Sequence, residues 1–139
     1  MNLQQALQYI EENKQNQELW LNGLNLTGPE MLEIAAAFAR CPNLEKLDLT
    51  GNNLGGLGEY AGPFAAALAG CPSLQELSLK NAGLGNLGDD AVRFAAALAG
   101  CPNLQFLNFG GNSLGGLGED AVRFAAAIAG CPNLQKLDL

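Results

Sequence analysis

The chain contains no histidine, so Ser-His or Cys-His catalysis, histidine ligation of a metal and a charge switch near neutral pH are all outside its repertoire. Basic residues are scarce. Seven Lys and Arg stand against fourteen Asp and Glu, giving a net charge of −7 and a pI near 4.3, a balance that repels nucleic acid and anionic membrane faces. Aromatics make up 6% of the residues, and there is a single tryptophan. The longest apolar runs, such as FAAALAG, fall well short of the roughly 20 residues a bilayer span requires. The opening MNLQQALQYIEENK has neither the basic start nor the apolar stretch of a secretory signal. The chain therefore reads as cytoplasmic, a location that loses meaning if it is engineered. At 139 residues, 48% of them hydrophobic, it suits one domain with a continuous core.

What is present is repetition. Cys41, Cys71, Cys101 and Cys131 each open the phrase CPNL or CPSL at a spacing of thirty residues. Units 41–70, 71–100 and 101–130 are complete, and about two-thirds of the positions agree between the last two. A half unit follows at 131–139. A divergent unit of 28 residues precedes them at 13–40, where Leu19, Leu21 and Leu26 take the places of Leu47, Leu49 and Leu54. Residues 1–12 lie outside the repeat. There Leu3, Ala6, Leu7 and Ile10 share one helical face, and Asn2 with Gln5 forms the pattern of a capping box, which predicts an N-terminal capping helix.

Within a unit the pattern LxxLxLxxNxL runs through Leu44, Leu47, Leu49, Asn52 and Leu54, and again through Leu104, Leu107, Phe109, Asn112 and Leu114. On this pattern the chain resembles the leucine-rich repeat family, and its long helical second half resembles the ribonuclease-inhibitor subtype. The resemblance implies an α/β solenoid arc, with parallel β-strands on the concave face, α-helices on the convex face and protein binding by the concave face. Two units depart from the family pattern. The turn asparagine is Leu24 in the first and Ala82 in the third, so the asparagine ladder is expected to be interrupted.

Residue physics leads to the same architecture. Alternating leucines bury one side of each short strand, while Leu87, Ala91, Phe94, Ala95 and Leu98 make an apolar stripe at helical spacing. Gly70, Gly100 and Gly130, each followed by Cys-Pro, are expected to end the helices through a left-handed cap. Pro63 replaces the arginine of later units, which predicts a late helix start near Gly62.

Little of this inventory supports chemistry. One cysteine per unit forms a ladder rising roughly 5 Å per strand, too dispersed for four thiolates to close on one zinc ion, and the cysteines read as small buried hydrophobes. The segment GLGNLG, Gly83 to Gly88, matches a dinucleotide fingerprint in form. Its leucines are nevertheless the repeat's own core positions, and Asp89 and Asp90 would oppose a pyrophosphate, so no cofactor is implied. Glu59, Asp89, Asp90, Glu119 and Asp120 mark helix starts, where the helix dipole stabilises negative charge. The sequon at Asn25 has no secretory context to give it meaning.

Individuality is confined to the solvent side of the strands. Alternation places Trp20, Lys46, Asp48, Glu76, Ser78, Lys80, Phe106, Asn108, Lys136 and Asp138 there as candidate protein-binding residues, together with Glu18, Asn22, Thr50 and Gly110. Trp20 and Phe106 stand out, since aromatics are enriched at interface hot spots. At the other end of the stack, Leu134, Leu137 and Leu139 are expected at an open strand edge, a template for strand addition. These readings converge on a non-catalytic protein-interaction or scaffold module. Near-identical units are also what a consensus-designed repeat without a native ligand would show. The alternative is a self-assembling protein that forms a homodimer through its last strand.

Overall fold

Two leucines flanking one polar residue give each unit a short extended segment with a buried and an exposed side. In the computed structural model, which describes residues 1–139, these segments form β1 (Glu18–Trp20), β2 (Lys46–Asp48), β3 (Glu76–Ser78), β4 (Phe106–Asn108) and β5 (Lys136–Asp138). They make one parallel sheet in chain order. Leu19, Leu47, Leu77, Leu107 and Leu137 are partners along the central row, and all but Leu137 are buried.

Between the strands run α1 (Leu3–Glu12), α2 (Gly28–Ala37), α3 (Ala61–Ala69), α4 (Asp89–Leu98) and α5 (Asp120–Ile128). None is long and apolar enough to cross a membrane. The first two begin with complete capping boxes, Asn2 with Gln5 and Thr27 with Glu30. In α4 the buried residues are Ala91, Phe94, Ala95 and Leu98, the stripe expected from spacing. The helix carrying Pro63 starts at Ala61, after a short 3-10 turn at Gly58–Tyr60, whereas α4 starts two positions earlier in the repeat. Proline is tolerated in that first turn because its missing N–H would have had no helical partner.

The helix ends differ from expectation. Gly70 has φ −75°, and neither Gly100 nor Gly130 is among the residues with positive φ. The last turns instead tighten: Gly70 N–H donates to Ala67 O at 3.1 Å and Cys71 N–H to Leu68 O at 3.0 Å, with the same pairs at Gly100–Cys101 and Gly130–Cys131. Glycine eases close packing there, although Arg40 holds the equivalent position of the first unit. A Cβ on Gly100 would lie 3.1 Å from Ala97 O and 3.5 Å from the Ala69 methyl of the preceding unit.

Stacking is held by a hydrophobic core that runs through all units and by two buried asparagines. Asn52 accepts from Leu24 N–H at 2.8 Å and donates to Leu21 O and Leu49 O, both at 2.8 Å. Asn112 accepts from Ala82 and Leu84 N–H and donates to Leu79 O and Phe109 O at 2.7 Å. Each asparagine therefore satisfies its own unit and the preceding unit that lacks one. The ladder is alternating, and the positions of Leu24 and Ala82 are covered from the next unit rather than broken. Between the second and third units the backbone substitutes, with Gly55 N–H donating to Ala82 O at 3.0 Å.

Substituting either asparagine strands buried amide and carbonyl groups in two units at once. Asn112→Ala is therefore predicted to cost about 3 kcal/mol, at the upper end of single unsatisfied-group penalties, and Asn52→Ala a similar amount. Urea unfolding of each variant, compared with the surface change Asn133→Ala, measures this; equal midpoints for all three would sink the bridging role.

Candidate functional site

The outward side chains of the strands line a groove of about 470 Å³. One row reads Glu18, Lys46, Glu76, Phe106, Lys136 and the other Trp20, Asp48, Ser78, Asn108, Asp138, with the leucine row forming the floor. Nine of the ten candidates proposed from alternation are brought together here, and Lys80 lies exposed beyond them. Asn22, Thr50 and Gly110 also fall outside the lining.

Local geometry fixes several of these side chains. Asp48 accepts from Thr50 N–H at 2.9 Å and Asn108 from Gly110 N–H at 2.8 Å, equivalent turns that hold both side chains against their own backbone. Thr50 and Ser78 hydroxyls bond at 3.0 Å. Lys46 lies 3.6 Å from both Glu18 and Glu76, a screened surface arrangement that orders the row without much stabilisation. Four carboxylates face two ammonium groups across the lining, so the groove is mildly acidic.

Trp20 is 57% exposed. The capping helix meets its backbone, with Trp20 N–H donating to the Tyr9 hydroxyl at 3.1 Å, and leaves the indole open to the groove. Phe106 is half-buried between Glu76 and Lys136.

A second apolar site lies at the end of the stack. Leu134, Leu137 and Leu139 join Leu114, Leu117, Ala121, Phe124, Ala125, Ile128 and Ala129 in a wholly hydrophobic groove of about 300 Å³. Leu137 is 39% and Leu139 74% exposed. Sequence reasoning named only the three strand leucines. The other seven are apolar like their buried counterparts, among them Leu84, Ala91, Phe94 and Leu98, so nothing in their own residue types marked them as groove residues. Phe124 is held edge-to-face on Phe109, with ring centroids 5.2 Å apart.

A family model described as "Leucine Rich repeat" matches residues 40–58. Among solved structures the chain is similar to one titled "Structural Genomics of Caenorhabditis elegans: tropomodulin C-terminal domain". The match has a TM-score of 0.67 and 13% identity, and covers 99% of this chain and 81% of that one. The fold is a leucine-rich repeat solenoid. No curated protein matches the sequence.

Several sequence features find their explanation in the repeat. The glycines of GLGNLG serve the stack: Gly83 and Gly88 have φ of 72° and 59°, and Gly85 packs against the carbonyls of Asn112 and Ser113, with no space for a Cβ. The acidic residues at the starts of α4 and α5 pair with arginine one turn on, Asp90 with Arg93 at 2.7 Å and Asp120 with Arg123. No three His, Cys, Asp or Glu side chains are gathered in a way that could hold a metal ion.

The four cysteines are free and buried. Burial pushes the Cys71 thiol up to about 11 and Cys101 up to about 12, and raises Cys41 and Cys131 in the same direction. The folded chain thus retains protons that the unfolded chain releases from about pH 8.5 upward, and stability must fall as pH rises from there toward 11–12. Thermal melts between pH 8 and 11 are predicted to show this decline, with a flatter dependence for Cys71→Ala/Cys101→Ala. Identical pH slopes for the two chains would contradict the burial argument.

Proposed function

We propose that this chain is a non-catalytic protein-interaction module that binds through its concave strand face. The observation that carries the reading is Trp20, a large aromatic left more than half exposed at one end of a groove whose two outward rows are otherwise, Phe106 apart, small, polar or charged. Phe106 supplies a second apolar contact three strands further along. The helix-bearing units of 28 to 30 residues support a ribonuclease-inhibitor-like arrangement, and their near-identity supports a consensus-designed origin without a native ligand. The composition supports a cytoplasmic setting.

Selecting binders from a peptide or protein library against the immobilised chain tests this reading. Binders are expected to lose about 2 kcal/mol, roughly thirtyfold in Kd, on Trp20→Ala, and to be indifferent to Arg93→Ala on the opposite side. The single tryptophan reports engagement directly through a blue shift of its emission. Binders that ignore Trp20 and Phe106 would place the site elsewhere.

A second reading, self-association through β5, is favoured by the wholly apolar groove beside that strand. Light scattering across a hundredfold concentration range is expected to show a dimer, and Leu137→Glu is expected to abolish it. A monomeric mass throughout would remove this reading and leave the concave face alone.

A further inference from the structure

We infer that two copies of this chain pair β5 to β5 in an antiparallel manner, about a two-fold axis through Leu137, joining two five-stranded sheets into one of ten strands. This rests on the second reading above and adds to it a register and a reason for specificity.

The backbone sets the register. Lys136 N–H donates to Gln105 O at 3.0 Å and Asp138 O accepts from Phe109 N–H at 2.7 Å, so the main-chain groups of residues 136 and 138 are turned toward β4. Strand alternation then directs the N–H and C=O of Leu137 to the open edge. An antiparallel neighbour bonds best where one residue on each strand exchanges both its groups with the other, and the residue available for that exchange is Leu137 with its own copy.

The side chains agree with this register. With Leu137 on the axis, Lys136 stands directly opposite Asp138 of the second copy, and Asp138 opposite its Lys136. Two opposite-charge cross-strand pairs form at the exposed side of the sheet, each at the close separation of a non-hydrogen-bonded pair. On the other side Leu137 meets its copy, and the two apolar grooves, each rimmed by the exposed Leu139, face one another across the axis. The edge is therefore complementary to itself in backbone, charge and hydrophobicity.

Head-to-tail growth is blocked at the opposite end. There the Tyr9 hydroxyl already accepts the Trp20 N–H that faces away from β2, and α1 turns exposed Gln4, Gln8, Glu11 and Glu12 outward. A second copy can cover the apolar face only with its own, so the assembly closes at two.

The test compares four chains of residues 1–139 by sedimentation or light scattering: unaltered, Lys136→Asp, Asp138→Lys and the double exchange Lys136→Asp/Asp138→Lys. Each single change sets like charges opposite one another twice and is expected to weaken the dimer by roughly tenfold or more. The double exchange is expected to restore it. Mixing the two single variants is expected to give a heterodimer tighter than either homodimer, a result that mere misfolding cannot produce. An unaltered chain that dimerises equally well in all four forms would overturn this register while leaving edge pairing in place. An unaltered chain that stays monomeric at every concentration would overturn both.

Discussion

Each unit of this chain buries its apolar side against the next, and the remainder of the structure depends on that constraint. A three-residue strand and a nine- or ten-residue helix cannot enclose a core by themselves. Leu84, Ala95 and Leu104 are fully buried only because a further turn of the stack follows them, whereas their counterparts Leu114, Ala125 and Leu134 in the final turn lie in an open groove. A period of 28 or 30 residues keeps successive leucine rows in contact. Alanine and glycine on the packed helix faces let the units approach closely enough for the polar bonds between them to form.

Those bonds explain how an irregular ladder is tolerated. A turn asparagine in every second unit suffices because its amide spans two units, donating to both carbonyls and accepting from the N–H of the unit that lacks one. Leu24 and Ala82 can then be apolar without stranding a buried polar group, and no buried side-chain N or O is left without a partner. The strands in turn hold their outward side chains at fixed positions. The concave row is thus a frame on which residues can vary without cost to the stack, and Trp20 is the most exposed large hydrophobic side chain among those variations.

The two ends of the stack are treated unequally. At the first strand a helix closes the core with Ala6 and Ile10, and one tyrosine hydroxyl accepts the outward N–H of Trp20. At the fifth strand the same type of edge is bare and the surface beside it is entirely apolar. Concave binding and edge pairing therefore use different surfaces of the solenoid and do not compete, and pairing would extend the concave face rather than block it.

The repeat register, the five strands, the capping helix and nine of the ten candidate groove residues were legible in the sequence, because they follow from periods of two, 3.6 and thirty residues that are local properties of the chain. Three features were not. The asparagine bridges join residues 28 to 33 positions apart, Gly100 and Gly130 at two helix ends pack beside an alanine of the preceding unit, and the seven helix and turn residues of the terminal groove are apolar like all their counterparts. Sequence alone determined which side of each element is apolar. Only the tertiary structure decided which of those sides are covered, because coverage depends on the neighbour in space and not on the residue itself.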